Sequence, residues 1–284
     1  MRYDAHIHML LDGEDWRAAI ARHKTAPDED YIRAVLARYR ARGVTHLRDG
    51  GDRWGACTCA ARLAGEYGID YKTPAFPIHK AGCYGSFIGR GYEDLSEYGT
   101  LVERAACEGA DFIKIMISGI MDFDRFGVIT GEPYAPEDIR ELIRIAHAAG
   151  FRVMAHANGA RTVQAAAEAG VDSVEHGAYL DEAALRAMAE HGTLWTPTIV
   201  TIGNLIGCGR YPDEVLKPLF RLHAENIRRA AMLGVPIAVG SDAGAYRVPH
   251  AQGAADERRY LEDILGEDSD ALRRGARFFD AWFT

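Results

Sequence analysis

The sequence predicts an α/β fold, a (β/α)8 TIM barrel that forms one domain over residues 1–284. Short apolar or β-branched runs alternate with amphipathic helical stretches along the whole chain, which is typical of parallel strands joined by helices. The length of 284 residues suits one such barrel, which needs about 250 residues. No Gly-x-Gly-x-x-Gly motif follows the first predicted strand, and this disfavours a doubly wound open sheet.

Eight strand-like segments follow one another, with seven helical stretches between them and a helical tail at 270–284. The last five of these segments each begin with a glycine, and four of these glycines end a helical pattern, as a helix C-cap does. The helical stretch at 135–150 carries four apolar side chains at helical spacing and a proline in its first turn. In chain order the predicted strands cover residues 3–9, 43–51, 73–78, 109–119, 150–159, 170–177, 192–200 and 234–244.

Two histidines separated by one residue lie in the first predicted strand. Side chains two residues apart in a strand point to the same face, so His6 and His8 project together. Neutral imidazoles are frequent metal ligands. The motif alone is weak evidence, because a short His-x-His run also occurs on solvated surfaces. A metal site therefore requires further ligands elsewhere in the chain.

The active site of such a barrel lies at the C-terminal ends of its strands, and ligand-type residues recur there. Lys114 lies inside an apolar strand, where an unpaired ammonium is costly to bury. A single histidine at a strand end more often makes an ordinary hydrogen bond than a metal contact. Several such residues at the ends of different strands of one barrel instead predict a metal site. The predicted ligands are His6, His8, Lys114, His156, His176 and Asp242.

These residues lie in motifs that resemble the amidohydrolase superfamily, and within it the metal-dependent dipeptidase or prolidase-like branch. The motifs are DAHIH, GADFIKIM, AHANG, VEHGAYLDEAAL, TPTIV and GVPIAVGSDAG, and the resemblance runs from residue 3 to about residue 283. It implies two divalent metal ions, one held by His6, His8 and Asp242. The second would be held by His156 and His176, and an N-carboxylated Lys114 would bridge the pair. Nitrogen and oxygen ligands suit zinc, while manganese, iron and cobalt remain alternatives.

The resemblance also implies a reaction. Two neighbouring metal ions can lower the pKa of a shared water and polarise a carbonyl oxygen. Asp242 would take the water's proton and pass it to the leaving nitrogen, so that Asp242 and Lys114 are the expected catalytic residues. We therefore predict a hydrolase that cleaves a C–N bond in an amide, a cyclic amide or a dipeptide-like small molecule. Alternatives are a lactone or phosphoester hydrolase, a metal-dependent decarboxylase and a non-catalytic metal-binding barrel.

The ends of the sequence differ from the family pattern. Most relatives carry a small β-sandwich formed before and after the barrel, and we expect it to be absent here because the first strand already begins at residue 3. The helical tail is rich in aromatic side chains. These either pack on the barrel as part of an amphipathic helix or form a contact in a homo-oligomer, and we expect a homo-oligomer. The aromatic residues are Phe278, Phe279, Trp282 and Phe283.

Two long segments, 79–94 and 118–134, follow predicted strands and could cover the strand ends. Arginine and tyrosine side chains near the metal ions could bind a carboxylate group of the substrate. A histidine or tyrosine in a loop that follows a strand could orient the substrate in the same way. The candidate substrate-binding residues are Tyr84, Arg90, Arg161, Tyr179 and His250.

Composition excludes several other classes of function. The chain has 33 Lys and Arg residues against 41 Asp and Glu residues, a net charge of −8, which predicts no nucleic-acid binding. No apolar run is long enough for a membrane helix, and no signal peptide is recognisable, so we expect a cytoplasmic protein that acts on a small molecule. The 5 cysteines match no zinc-finger spacing, and we expect reduced thiols.

Overall fold

The computed structural model describes residues 3–267 and 269–283, so Met1, Arg2, Asp268 and Thr284 of the predicted domain lie outside the described residues. Nine strands can be assigned in the described part of the chain, and all of their pairings are parallel. They are β1 (Tyr3–Ile7), β2 (His46–Asp49), β3 (Asp70–Lys72), β4 (Pro77–Lys80), β5 (Arg90–Tyr92), β6 (Ile113–Met116), β7 (Val153–Ala157), β8 (Ser173–His176) and β9 (Leu194–Thr196).

Helices separate most of these strands. In chain order they are α1 (Trp16–His23), α2 (Glu29–Ala41), α3 (Ala56–Ala64), a short 3-10 helix (Gly65–Tyr67), α4 (Leu95–Cys107), α5 (Pro136–Ala148), α6 (Ala160–Glu168), α7 (Glu182–His191), α8 (Val200–Gly203), α9 (Asp213–Leu233), α10 (Gln252–Leu265) and α11 (Asp270–Asp280). The alternation of strands and helices confirms the predicted α/β class.

Particular residues of the sequence explain where several helices begin and which of their side chains are buried. Helices α1, α2, α4 and α7 each follow an aspartate whose carboxylate accepts backbone N–H groups of the first turn. Helix α5 has its predicted proline in the first turn, and its four apolar side chains are buried as predicted. The N-cap residues are Asp15, Asp28, Asp94 and Asp181.

The strands form two parallel sheets, one with the order β1-β2-β3 and one with the order β5-β4-β6-β7-β8-β9. The predicted third strand, 73–78, is wrong in its bounds: β3 ends at Lys72 and β4 begins at Pro77, because Ala75 between them has φ +61° and turns the chain out of the extended conformation. The short strand β5 lies in the segment that was predicted to be a loop. It pairs with β4.

The predicted strand at 234–244 is wrong as a continuous element. Its residues make only isolated bridges, from Ile237 to Trp195 of β9 and from Ala243 to Ile7 of β1. A proline at position 236 cannot donate to a ladder, and Asp242 has φ +57°, which ends the extended conformation. The segment nevertheless lies between β9 and β1, since it hydrogen-bonds to both.

The aromatic tail packs against the base of the strands. Phe279 is fully buried with Ala5, Leu194 and Ala238, and the ring of Trp282 lies edge-on to Phe112 at 5.2 Å between centroids. Gly275 of α11 approaches Ile237 so closely that a Cβ atom would lie 1.8 Å from its carbonyl oxygen. The packing alternative therefore accounts for most of the tail, and Phe278 is the tail aromatic with a large exposed fraction, 45%. The homo-oligomer stays a prediction.

Two further expectations concern the chain as a whole. None of the helices in residues 3–267 and 269–283 combines the length and apolar character needed to cross a bilayer. Cys57, Cys59, Cys83, Cys107 and Cys208 are all free thiols, as expected.

Candidate metal centre

Strand β1 places two imidazoles and the 237–243 segment places one carboxylate at a single point. The Nε2 atoms of His6 and His8 are 3.3 Å apart, and the Oδ1 atom of Asp242 lies 3.6 and 3.5 Å from them. All three donor atoms lie within 4.8 Å of one another. The two histidines are buried, and the Asp242 side chain is 16% exposed. Three donor atoms this close together could hold one divalent cation.

The orientation of His6 is fixed by a buried carboxylate that the sequence analysis did not identify. Nδ1 of His6 lies 2.8 Å from Oε2 of Glu175, so the ring donates from Nδ1 and keeps the Nε2 lone pair for a metal. The other carboxylate oxygen of Glu175 accepts from Arg48 at 2.8 Å. Both side chains are completely buried. Charged residues inside two predicted apolar strands were the available signal, because such charges need a buried partner.

The ring of His8 occupies space that only glycine leaves open. Gly50 follows β2, and a Cβ atom at this position would lie 2.3 Å from Cε1 of His8. Any other residue would displace the imidazole. The turn after β2 therefore positions one of the candidate ligands.

Two further histidines lie on the neighbouring strands β7 and β8. Nε2 of His156 is 3.0 Å from the carbonyl oxygen of Gly119 and donates to it, which leaves Nδ1 free. Nδ1 of His176 is 2.8 Å from Oγ1 of Thr198, which leaves Nε2 free. Their ring centroids are 4.7 Å apart, and that of His176 is 5.2 Å from that of His6.

In a regular strand the side chains of adjacent residues point to opposite faces, so those of His176 and Glu175 would point in opposite directions. Both residues nevertheless reach His6, because His176 has φ +67° at the end of β8. A non-glycine residue in this region of φ is uncommon, and such residues cluster at functional sites.

Lys114 is the unusual member of the group. It lies in β6, where all four residues are buried, and its Nζ atom has no hydrogen-bond partner among the described residues. Burial lowers the pKa of its ammonium group, so a larger fraction of neutral amine is present near neutral pH. Burial has the opposite effect on Asp242 and raises the pKa of its carboxyl group.

Burial also keeps the histidines neutral. It lowers the pKa of His8 and of His156 to about 3, and the nearby Lys114 contributes in the same direction. The pKa values of His6 and His176 are lowered well below their ordinary value for the same main reason, burial. Neutral imidazole is the form that binds a metal ion.

All six predicted ligands line one cavity of 420 Å³. A smaller adjoining cavity of 150 Å³ shares His156, His176 and Asp242 with it. The structure therefore brings the six residues together, although they come from five separate segments of the chain. The rest of the large cavity is lined by Leu11, Glu14, Trp16, Tyr84, Phe87, Ile88, Met116, Ile120, Gly244, Ala245 and Tyr246.

One of the candidate substrate-binding residues lies in this cavity. The ring of Tyr84 is 4.8 Å from that of His156 between centroids. His250 is buried elsewhere, with Nε2 2.8 Å from the carbonyl oxygen of Leu11.

The other three candidates lie away from the large cavity. The guanidinium group of Arg90 is 3.3 Å from Glu108, with which it forms an ion pair. Arg161 lines a separate cavity at the start of α6, and the hydroxyl of Tyr179 accepts from the N–H of Gly127 at 2.9 Å.

The large cavity is also lined by four residues that no sequence motif indicated, Glu14, Trp16, Phe87 and Tyr246. Glu14 and Trp16 follow the carboxyl end of β1, and this position was the available signal, since loops at that end of a parallel strand surround the active site.

Known proteins resemble this chain in sequence. The model of the family described as "Amidohydrolase family" matches residues 3–263. An uncharacterized protein of Mycobacterium tuberculosis is 31% identical over 195 residues, which cover 66% of this chain and 51% of that protein. Ochratoxinase of Aspergillus niger is 28% identical over 194 residues, or 64% of this chain and 38% of the enzyme. The matched regions thus cover about half or less of these relatives.

Solved structures resemble it along nearly its whole length. A prolidase complexed with N-methylphosphonate-L-proline has a TM-score of 0.74 at 25% identity, covering 98% of this chain and 74% of the prolidase chain. The structure of A. niger ochratoxinase has a TM-score of 0.77 at 19% identity, covering 99% of this chain and 71% of that chain. These likenesses show a TIM-barrel-like α/β fold.

Proposed function

The chain belongs to the amidohydrolase family, and from this premise we propose that it is a metal-dependent hydrolase that cleaves the C–N bond of a small amide, cyclic amide or dipeptide-like molecule. One observation carries the proposal. Four neutral imidazoles, one carboxylate and one partnerless buried amine line the same cavity. Burying these polar groups, one of them an unpaired amine, costs folding free energy unless a bound ligand interacts with them. Imidazole and carboxylate groups are common metal ligands.

The donor atoms fit two divalent cations, with zinc as the expected metal. His6, His8 and Asp242 would hold the first ion through atoms that already converge. His156 and His176 would hold the second, each through the ring nitrogen that its hydrogen bond leaves free. When bound, such ions polarise the carbonyl group of the substrate and lower the pKa of a water molecule.

Lys114 would join the two halves of the site after reacting with carbon dioxide. The neutral amine attacks the carbon atom, forms an N–C bond and loses one proton, which leaves a carbamate. Its burial and lowered pKa favour the neutral amine that this reaction needs. The product replaces an unpaired cation by an anion, and this would relieve the charge of a buried ammonium group among four imidazoles.

Asp242 is the proposed proton carrier. It accepts the proton of the attacking water and delivers it to the leaving nitrogen. Burial raises the pKa of its carboxyl group and so brings it towards the neutral range, where a group can both accept and release a proton. Glu175 and Gly50 act indirectly, because they hold the rings of His6 and His8 in place.

We also propose that the two sheets are arcs of one closed eight-stranded barrel. The N–H of Ala238 donates to Trp195 of β9 at 2.8 Å, and the N–H of Ala5 in β1 donates to Val239 at 2.9 Å. On the other side, β3 and β4 are successive pieces of the chain that pair with β2 and β6. A closed ring would bring all the strand ends to one rim.

Metal analysis tests the central proposal. Protein expressed with added bicarbonate should contain about two divalent ions per chain, and it should hydrolyse members of a panel of dipeptides, N-acyl amino acids and cyclic amides. A chelator should abolish hydrolysis, and zinc or manganese should restore it. His147→Ala, which changes an exposed histidine outside the cavity, serves as the control. Folded, metal-saturated protein that holds no ion or hydrolyses no amide contradicts the proposal.

Lys114→Met tests the carbamate. The variant should lose metal affinity, and Lys114→Ala, which also vacates the space of the side chain, should regain part of its activity when a short carboxylic acid is added to the medium. The metal-free Lys114→Met variant should unfold at higher urea concentration than metal-free parent protein, because an unpaired buried amine has been removed. Fully active protein equilibrated with carbon-13-labelled bicarbonate that shows no carbamate carbon signal in an NMR spectrum of the native state would rule out the carbamate.

A further inference from the structure

A series of aromatic rings leads from the surface to the candidate metal site. The centroids of Trp16 and Phe87 are 5.8 Å apart, and those of Phe87 and Tyr84 are 5.7 Å apart. Tyr84 in turn lies 4.8 Å from His156. Trp16 is 43% exposed, whereas Tyr84 is partly buried. The rings thus form a continuous wall from the cavity mouth to a candidate metal ligand.

We call this part of the large cavity the aromatic lobe, defined by Leu11, Glu14, Trp16, Tyr84, Phe87, Ile88 and Ile120. Its remaining side chains are aliphatic apart from one carboxylate, that of Glu14. Beyond Lys114 and the histidines of the metal site, no cationic side chain lines the large cavity in the described part of the chain. A cationic substituent placed in the lobe would meet the carboxylate of Glu14, the charged side chain that lines it.

The adjoining smaller cavity differs in polarity. It contains the uncharged polar side chains of Asn158 and Thr201. The guanidinium group of Arg210 lies 4.4 Å from the ring centroid of Tyr246 and 5.3 Å from that of Tyr211. Tyr211 lines the smaller cavity alone, whereas Tyr246 lines both cavities. A second guanidinium group, that of Arg17, lies 4.4 Å from the ring of Trp16 at the mouth of the aromatic lobe.

We propose that the aromatic lobe selects a flat aromatic group on one side of the scissile bond. A cationic substituent on this group is accepted beside the carboxylate of Glu14. The volume of 420 Å³ includes the space beside the candidate metal ligands, and the smaller cavity adds 150 Å³, so we expect the larger of the two groups that flank the scissile bond in the lobe. This inference rests on the proposed amide hydrolysis and specifies its substrate class.

Ligands without an amide bond test the lobe separately from the reaction. The probes are 4-acetylbiphenyl, its saturated analogue 4-cyclohexylcyclohexyl methyl ketone, 4-(aminomethyl)acetophenone and 4-acetylbenzoate, which carry the same ketone on different groups. Calorimetry on metal-loaded protein should show that 4-acetylbiphenyl binds about fivefold or more tightly than its saturated analogue, because packed aromatic rings attract one another beyond what the buried area contributes. Trp16→Ala should weaken 4-acetylbiphenyl about fivefold, and Phe278→Ala, which removes another exposed aromatic ring, should not.

The charge preference is tested by Glu14→Gln. At low ionic strength the variant should reduce the ratio of cationic to anionic probe affinity about fivefold, and the difference should shrink in salt. Glu190→Gln changes a glutamate on α7, outside the cavity, and should leave the ratio unaltered. A ratio that Glu14→Gln does not change overturns the charge preference. Equal affinity of Trp16→Ala and parent for 4-acetylbiphenyl overturns the aromatic preference.

Hydrolysis of matched amides separates the two proposals. If the protein cleaves amides, Trp16→Ala should raise KM for an aromatic amide several-fold with little change in kcat, since Trp16 contacts the substrate away from the reacting atoms. Ring-selective binding without hydrolysis of any amide would contradict the proposed function alone. Hydrolysis without ring selectivity would contradict this inference alone.

Discussion

Nδ1 of His6 lies 2.8 Å from the carboxylate of Glu175, across 169 positions of sequence, and neither side chain is exposed. The contact sets which ring nitrogen can bind a metal ion. Because the same carboxylate pairs with Arg48, it also balances a buried cation. One residue outside the ligand set thus links the metal site to the stability of the fold.

Glu175→Gln should therefore lower both the metal affinity and the free energy of unfolding. We expect metal affinity to fall about 10- to 100-fold, because an amide orients the imidazole less well. The free energy of unfolding should fall by about 3 kcal/mol, because Arg48 is left without a counter-charge in the interior. Competition with a chelator and urea unfolding measure the two effects. Glu103→Gln on the exposed face of α4 is the control, and an unchanged metal affinity in Glu175→Gln would show that the contact does not orient His6.

Asp242→Asn should retain metal binding but lose most of the catalytic rate. The amide keeps an oxygen for a metal ion but cannot accept the proton of water. We expect kcat on the best amide substrate to fall about 10²- to 10⁴-fold, with much of the metal content retained. Steady-state kinetics and metal analysis on the same preparation measure both. Turnover by Asp242→Asn at the parental rate would show that another group carries the proton.

Gly50→Ala should disturb His8 through sterics alone. The added Cβ would lie 2.3 Å from the ring, so the imidazole has to move away from Asp242. We expect weaker metal binding and lower kcat with an intact fold. Gly99→Ala in α4 meets nothing within 4 Å and should stabilise the helix by about 0.5–1 kcal/mol without affecting metal content. Equal metal affinity of Gly50→Ala and parent would mean that the turn after β2 does not constrain His8.

His223 should make the protein sensitive to acid. It is buried, and burial lowers the pKa of its imidazole to about 4, against an ordinary value of 6.5. Between pH 6.5 and pH 4 the unfolded chain binds the proton and the folded chain does not, so stability rises with pH across this window. The contribution of His223 should therefore be present above pH 6.5 and be lost on acidification, up to about 3 kcal/mol.

His223→Gln isolates this contribution. Its Nε2 atom lies 2.9 Å from the carbonyl oxygen of Pro197, and a glutamine amide can donate to the same acceptor without titrating. Urea unfolding of parent and variant between pH 7 and pH 4 should show a smaller loss of stability in the variant. Parallel curves would mean that His223 becomes protonated as readily in the folded protein as in the unfolded chain.

The sequence was informative where local rules decide the structure. The helix at 135–150 was predicted from its apolar spacing and its proline, and the structure has it at Pro136–Ala148. The sharing of a face by His6 and His8 follows from strand geometry. The clustering of the ligands follows from the rule that parallel strands end at one rim.

Other features depend on contacts between distant segments or on backbone conformations that no pattern encodes. Local spacing does not reveal that Glu175 reaches His6, or that the φ of His176 is +67°. Arg90 was predicted as a substrate contact from its place in a long loop, but Glu108 of the following segment pairs with it. Trp16 reaches the cavity because of the path of its loop, which composition does not specify.

The packing of Trp282 has a consequence for the order of events during synthesis. Its ring lies 4.4 Å from the guanidinium carbon of Arg48, whose partner Glu175 holds His6. A residue near the start of the chain thus depends, through three side-chain contacts, on one made some 270 residues later. While the ribosome still holds residue 282, His6 lacks its final support. High-affinity metal capture should therefore follow the emergence of residue 282 from the ribosome, and a growing chain that still lacks this residue should hold no tightly bound ion.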